Sequence, residues 1–212
     1  MPKLGMGPIR REQICRAAAA VIAREGFAGT TMRMVAEEGG VSTGMLNHYF
    51  ANRRDLLTQA LVHVSERTQN RFREAIEQTP PGIERLTALL DSALMEDEQM
   101  IETWRVWINA YGEAVRLPAL RHTIEARLTS WHELIDTALE GLLPPSPPGA
   151  IPAAWRFDAL LNGLAIQALT SEAALDGRQI RDEVIATLLG GADAHGGAPA
   201  SASRVASGAS RL

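Results

Sequence analysis

The sequence has little cysteine, few aromatic residues and no long apolar run, and these shortages exclude several classes of protein. Its one cysteine, Cys15, has no second cysteine to pair with, which excludes a disulfide-stapled scaffold and leaves a packing role among neighbouring alanines. The longest purely apolar run, residues 17–23, is far shorter than the ~20 residues that span a bilayer. The first eight residues lack the apolar stretch of a secretory signal, so we expect a cytoplasmic protein without membrane contact.

The composition is that of a folded protein whose charge is unevenly distributed. Apolar residues make up 46% and charged residues 22% of the 212 residues, close to the average of globular proteins. The net charge of -4 at pH 7 disfavours nucleic-acid binding when it is taken alone. Residues 1–60, however, contain 8 Lys and Arg against 5 Asp and Glu, a net charge of +3, and the rest of the chain carries -7. The N-terminal part is therefore basic enough to contact phosphates.

Apolar residues recur at helical spacing along the chain, and no segment alternates in the manner of a strand. We therefore predict an all-α fold of about nine helices. A first helix ends near Gly26, and Asn52 begins the fourth helix, which ends before the break at residues 79–82. The later helices are predicted over residues 83–94, 97–115, 118–143, 153–175 and 179–189, with a proline-rich loop at 144–149.

Residues 30–54 contain two short predicted helices joined by a glycine turn. Thr30 or Thr31 is the expected N-cap of the first helix, and Ser42 that of the second. This arrangement is typical of a helix-turn-helix, whose second helix enters the major groove of DNA. Placed 100° apart, the residues of the second helix form two sides. The side expected to pack contains Met45, Leu46, Tyr49 and Phe50, and the side expected to face DNA contains Thr43, Gly44, Asn47 and His48.

The residues of the DNA-facing side have different expected roles. Gly44 allows the DNA to approach the backbone closely, and Thr43 contacts a thymine methyl group or a phosphate. Asn47 has the paired donor and acceptor that suit adenine. The N–H groups at the start of the helix, capped by Ser42, favour a phosphate.

Four short segments of this region resemble the DNA-binding head of the TetR family of one-component repressors. They are Thr31-Met32-Arg33, Gly40-Val41-Ser42-Thr43-Gly44, Leu46-Asn47-His48-Tyr49-Phe50 and Arg53-Arg54-Asp55-Leu56. The opening MPKLGM and the segment VSTGMLNHYF further resemble the choline-responsive BetI subgroup, except that Asn47 replaces a serine, which implies a different operator sequence. The resemblance implies that Thr31, Tyr49 and Arg53 contact phosphates. It places Arg33, Thr43, Asn47 and His48 in or beside the groove.

The same resemblance implies a homodimeric repressor that binds a double-stranded DNA operator and is released by a small-molecule inducer. Residues 1–52 are then the helix-turn-helix head and residues 53–189 the helical body for ligand binding and dimerisation. Residues 190–212, rich in Ala, Gly and Ser, are predicted to be a disordered tail. In this family the last two helices pair across a two-fold axis, and the apolar residues available for that pairing are Leu160, Leu161, Leu164, Leu188 and Leu189.

An aromatic stripe in the body is either core or a ligand site. In the sixth predicted helix it consists of Met100, Trp104, Trp107, Ile108, Tyr111 and Val115. As a site it would form an aromatic cage for a quaternary ammonium group, completed by Trp131 and Trp155. The glutamates of this helix, Glu98, Glu102 and Glu113, lie on its other side and are not expected to be counter-ions.

The eighth helix departs from the choline-responsive subgroup. Asn162 and Ala165 stand where the subgroup has Asp and Trp. We expect Asn162 to join the ligand site, and the inducer to be choline, another amine or an uncharged apolar molecule. No cofactor is implied.

Two other functions remain open at this stage. The first is a helical small-molecule carrier without DNA activity. The second is a serine hydrolase, because residues 40–44 match G-x-S-x-G with Ser42 as the nucleophile. That motif needs a preceding strand, and the preceding residues 33–38 read as helix, so we predict no catalytic residue. The five histidines are scattered and no cysteine cluster exists, so we predict no metal site.

Overall fold

The chain folds into nine α-helices within residues 6–94, 96–172 and 175–194, which are the residues that the computed structural model describes. The helices are α1 (Met6–Gly29), α2 (Met32–Glu38), α3 (Thr43–Tyr49), α4 (Arg53–Glu77), α5 (Ile83–Ala93), α6 (Glu98–Ala114), α7 (Pro118–Leu139), α8 (Ala153–Thr170) and α9 (Gly177–Ala194). No strand occurs in these residues, so the predicted all-α fold is confirmed. None of the described helices is long and apolar enough to cross a membrane.

The core consists of two clusters of buried residues. The N-terminal cluster joins α1, α2 and α3 to the start of α4 and contains Ile22, Val35 and Leu46. The C-terminal cluster joins the end of α4 to α5, α7, α8 and α9 and contains Phe157 and Ile135. The helices α4, α6 and α7 each contribute residues to both clusters.

The predicted breaks and caps around the first three helices are found in the structure. The backbone at Gly26 has φ 71° and ψ 171°, a left-handed conformation that favours glycine and interrupts α1 before its final turn. Thr31 is the N-cap of α2 and accepts a hydrogen bond from Met34 N. Thr30 is fully buried instead, and its hydroxyl donates to Gly26 O at 2.7 Å. Ser42 caps α3 as predicted, accepting from the N–H group of Met45.

The predicted ends of α7 and α8 are wrong by four and five residues. α7 ends at Leu139 because Gly141 adopts φ 74°, which no α-helix accommodates, and prolines follow from Pro144. α8 ends at Thr170 because the next residue, Ser171, is extended. Neither helix end coincides with a change in the spacing of apolar residues, so apolar spacing alone does not predict these ends.

The predicted start of the tail at residue 190 is also wrong. α9 extends from Gly177 to Ala194, so residues 190–194 are helical. Leu188, just before this segment, is buried in the C-terminal cluster, and such packing stabilises a helix more than propensity does. The remaining residues of the predicted tail, 195–212, lie outside the described residues.

Candidate DNA-recognition surface and ligand cavity

α3 packs one narrow edge and exposes the rest of its surface. Leu46 and Phe50 are buried, with 0% and 1% of their surface exposed. The predicted DNA-facing residues Thr43, Gly44, Asn47 and His48 are all exposed, and so is Ser42. Met45 is 36% exposed, so the expectation that it packs is wrong. Of the seven residues of α3, Leu46 is the buried one, and Phe50 is the C-cap that follows; Met45 lies about 100° around the helix from Leu46.

Two ring contacts hold the end of α3. The guanidinium carbon of Arg11, from α1, lies 5.1 Å from the centre of the Phe50 ring, a cation–π contact that was not predicted. The rings of His48 and Tyr49 meet edge to face with their centres 5.1 Å apart, and Tyr49 is half-buried against the N-terminal cluster. The Arg11 contact therefore joins the end of α3 to α1.

Arg33 lies on the exposed side of α2, close in sequence to the α2 cap at Thr31. Its Nε donates to Glu37 Oε1 at 2.7 Å, and 84% of its side chain is exposed. Such exposed i, i+4 pairs contribute little to stability. Breaking the pair with Glu37 therefore costs little free energy, and Arg33 can bind a phosphate instead. The exposed Thr31 lies within one helical turn of Arg33.

Arg53, the first residue of α4, is engaged within the chain. Its guanidinium donates to the backbone oxygens of Phe27, Ala28 and Thr30. These are carbonyls at the end of α1, where intrahelical partners are missing. Arg53 thus joins α4 to α1, a position that differs from the expected phosphate contact. Local sequence patterns gave no signal for these bonds, because their acceptors lie 23–26 residues earlier in the chain.

A cavity lined mainly by aromatic and apolar side chains lies in the body between α4, α6, α7 and α8. A few polar groups also reach its wall, a combination that is typical of small-molecule sites. The five residues that we predicted as ligand residues all line it: Trp104, Trp107, Tyr111, Trp131 and Asn162. The structure also shows that part of the aromatic stripe belongs to the core, since Met100 and Trp104 are buried in the C-terminal cluster and line the cavity as well.

Two other predictions are wrong, one about the stripe and one about the aromatic cage that it was expected to form. Val115 follows the last turn of α6 and is 76% exposed. Trp155 is 57% exposed and packs on the His132 ring at 5.0 Å instead of lining the cavity. It lies more than about 100° around α8 from the buried residues Phe157 and Leu161, and so faces outward.

Asp158 supplies a carboxylate to the cavity wall, and sequence analysis missed it. Its Oδ1 accepts hydrogen bonds from Trp131 Nε1 at 2.7 Å and from Asn162 Nδ2 at 2.8 Å, and its Oδ2 lies 3.5 Å from His132 Nε2. Burial, and secondarily Asp158, raise the pKa of Tyr111 above its ordinary value, so this phenol stays protonated. The sequence pattern that could have identified Asp158 as a site residue is its i, i+4 spacing from Asn162, which puts both residues on one face of α8.

The glutamates of α6 do not contribute to this wall, as expected from their side of the helix. Glu102 faces the α1–α4 side, where burial raises its pKa and the Arg67 charge opposes that rise. Glu113 pairs with Arg116 at 3.3 Å. Asp158 is therefore the acidic group of the cavity lining among the described residues.

The predicted dimer surface is partly used inside the subunit. Leu161 and Leu188 are 2% and 4% exposed in the single chain, so the expectation that they offer an interface is wrong. They fill the C-terminal cluster between α8, α9 and the rest of the body. Leu160, Leu164 and Leu189 are half-buried.

Ser42 lies in a setting unlike that of a hydrolase nucleophile. It follows the helix α2 and a glycine turn, whereas a nucleophile elbow follows a strand. Its Oγ accepts a hydrogen bond from Met45 N at 3.2 Å and caps α3. Within the described residues, no group of three or more His, Cys, Asp or Glu residues is placed to hold a metal ion.

A helix-turn-helix head on a helical body with an internal cavity defines a ligand-responsive transcription regulator as a class. The family model described as "Bacterial regulatory proteins, tetR family" matches residues 14–60. The model described as "BetI-type transcriptional repressor, C-terminal" matches residues 81–204. The chain belongs to the TetR family of transcriptional regulators and has a BetI-type C-terminal domain.

Individual relatives agree with this assignment. The HTH-type transcriptional regulator BetI of Vibrio campbellii is 26% identical over 186 residues, covering 85% of this chain and 91% of the relative. A transcriptional regulator from Rhodococcus sp. Rha1 superposes with a TM-score of 0.73 at 26% identity, covering 86% of this chain and 97% of that one. A transcriptional regulator from Saccharomonospora viridis, solved in complex with choline, shares the fold with a TM-score of 0.70 at 23% identity, covering 84% and 94%.

Proposed function

We propose that this chain acts in the cytoplasm as a homodimeric repressor that binds a near-palindromic operator and leaves it when a small organic cation binds the body cavity. The observation that carries the DNA-binding half is the exposed row of Thr43, Asn47 and His48 beside the buried Leu46 on α3. Exposed polar groups on a short helix packed by one edge are what major-groove recognition requires.

The side chains of this surface divide into two roles. Asn47 reads a base edge through its paired donor and acceptor, while Gly44 allows the duplex to approach α3. Thr31, Tyr49 and the Ser42-capped start of α3 position the head on phosphates. Two heads must sit about one helical turn, roughly 34 Å, apart on the operator, so the regulator acts as a dimer. The outer sides of α8 and α9, with the half-buried Leu160 and Leu164, supply its interface.

The cavity has the chemistry of a cation site. Its aromatic residues form two close pairs: the ring centres of Trp107 and Tyr111 lie 5.7 Å apart, and those of Phe72 and Trp131 lie 4.7 Å apart. Such rings attract an alkylammonium group, and Asp158 adds a negative charge. The choline complex of the Saccharomonospora viridis regulator supports choline or a related amine as the ligand.

We expect ligand binding to release the operator through α6, which contacts both the cavity and the head. Trp104 and Trp107 of α6 line the cavity, while Val106 and Ala110 of the same helix pack in the N-terminal cluster. A ligand that favours one position of α6 therefore favours one position of the head. Ligand and operator then oppose each other, and by linkage DNA weakens the ligand as much as the ligand weakens DNA.

Fluorescence anisotropy with labelled DNA from upstream of the gene tests this proposal. We expect saturable binding that millimolar choline reverses, and Asn47→Ala should change the preferred sequence. Asn70→Ala, on an exposed face of α4 far along the chain from the head, is the matched control. It should change neither the binding and its reversal by choline nor the preferred sequence.

The possible results separate the alternatives. Ligand binding without any DNA binding would favour a small-molecule carrier. Release by another compound but not by choline would leave the repressor and replace its inducer. Labelling of Ser42 by a fluorophosphonate would instead favour a hydrolase.

A further inference from the structure

The cavity wall contains a positive charge as well as the carboxylate of Asp158. Arg127 of α7 lines the cavity, and its Nε is buried without a hydrogen-bond partner. The nearest acid is Glu66, whose Oε1 lies 3.7 Å from Arg127 Nη1, longer than an ordinary hydrogen bond, and whose side chain is 61% exposed. A buried donor without an acceptor is costly, and the long contact of Nη1 with the exposed Glu66 leaves Arg127 Nε free to donate to an anionic group in the cavity.

The two charges of the wall are not paired with each other. Arg127 is within 4 Å of Glu66, whereas Asp158 is within 4 Å of His132 and accepts hydrogen bonds from Trp131 and Asn162. They belong to adjacent helices, α7 and α8, and both face the same empty space. A ligand with one charge interacts with one of them and offers the other no group of opposite charge.

We propose that the ligand of this cavity is a zwitterion that carries an alkylammonium group and a carboxylate. This inference rests on the proposed cation site and adds a carboxylate to the ligand expected there. Asp158 and the aromatic rings hold the ammonium group, and Arg127 holds the carboxylate through its planar pair of N–H donors. Choline, which lacks an acid group, leaves Arg127 Nε without an acceptor and brings a second positive charge into the cavity.

The polar residues beside Arg127 suit the acid end of such a ligand. Gln69 Nε2 donates to Arg127 O at 3.3 Å and to Ser65 Oγ at 3.4 Å, which connects α4 to α7 at this wall. Ser65 is 2% exposed and lines the cavity. Because Ser65 Oγ accepts from Gln69, its hydroxyl proton points elsewhere and can be donated to a carboxylate.

Calorimetric titration of the full chain with betaine (trimethylammonioacetate) and choline tests the inference. The two probes share the trimethylammonium group and differ in the acid, so we expect betaine to bind at least about tenfold more tightly. Arg127→Gln should weaken betaine about 10- to 100-fold and leave choline unchanged or tighter, since a repelling charge is removed. Asp158→Asn should weaken both probes.

Arg121→Gln is the matched control, because Arg121 is an exposed arginine on the same helix that is not part of the cavity wall. It should alter neither affinity. Equal losses for both probes in Arg127→Gln, or tighter binding of choline than of betaine by the unchanged chain, would overturn the inference alone. A chain that binds neither probe would contradict the proposed cation site as well. The comparison of the two probes on the unchanged chain stands even where Arg127→Gln fails to fold.

Discussion

The side-chain amide of Asn109 on α6 lies against Gly26 at the kink of α1. A Cβ atom at Gly26 would come within 3.0 Å of Asn109 Oδ1. Asn109 Nδ2 donates to Arg105 O at 2.8 Å, which fixes the amide in this position. The helix that lines the ligand cavity thus touches the head where α1 changes direction.

Gly26→Ala is expected to lower the free energy of unfolding by about 1–2 kcal/mol, because a side chain at φ 71° is strained. The contact with Asn109 adds to this loss. Urea denaturation at a fixed protomer concentration measures the effect. Gly112→Ala on α6 is the control: no atom lies within 4 Å of its Cβ, and it should raise stability by about 0.5–1 kcal/mol. A loss of the same size in both variants would contradict the prediction.

Arg53→Gln is expected to lower the free energy of unfolding by about 1.5–3 kcal/mol, because it removes charged hydrogen bonds to three carbonyls of α1. Arg54→Gln, at the exposed neighbouring position, should change it by less than about 0.5 kcal/mol. The salt dependence of operator binding gives the second measurement. If Arg53 bound a phosphate, its removal would lower the slope of log affinity against log salt by about 0.9. We expect no change in that slope.

Gly44→Ala is expected to stabilise the protein while weakening DNA binding. The nearest atom to a Cβ at Gly44 is Ser42 Oγ at 3.8 Å, an ordinary contact, so nothing within the chain requires glycine there. Alanine should raise stability by about 0.5–1 kcal/mol through its higher helix propensity. The added methyl group faces the duplex, and operator affinity should fall by about tenfold or more. Unchanged affinity in anisotropy titrations would show that Gly44 is not close to DNA.

The features predicted correctly from sequence depend on neighbours within one or two helical turns. Ser42 and Asn52 cap their helices through side-chain bonds to N–H groups three residues later. Leu46 and Phe50 are buried because their i, i+4 spacing puts them on one edge. Such local rules also placed Trp104 and Trp107 on one side of α6.

The features that sequence analysis missed depend on contacts between distant segments. The carbonyls bound by Arg53 and the ring covered by Arg11 follow only from the packing of α1 against α3 and α4. Arg127 and Asp158 become neighbours of one cavity only when α7 packs on α8. Periodicity within one helix shows which side is apolar, but not which other helix covers that side.

Cys15 is expected to resist alkylation in the native protein. The residue is 4% exposed, and burial raises the pKa of its thiol to about 11, although the Arg11 charge opposes the rise. Because the thiolate is the reactive form, iodoacetamide at pH 8 should label it far more slowly in buffer than in urea. Mass spectrometry over time measures both rates. Labelling in buffer as fast as in urea would mean that the N-terminal cluster opens readily.

The indole N–H of Trp131 is expected to orient Asp158 for ligand binding. Trp131→Phe keeps an aromatic ring in the cavity but removes the 2.7 Å bond to Asp158 Oδ1, and choline affinity should fall by about three- to tenfold. Trp104→Phe is the matched control, since its indole donates to Ala93 O instead. Each variant is combined with Asp158→Asn in a double-mutant cycle read by calorimetry. We expect the effects of Trp131→Phe and Asp158→Asn on choline affinity to be non-additive, and those of Trp104→Phe and Asp158→Asn to be additive. Additivity in both cycles would mean that Trp131 acts only as aromatic surface.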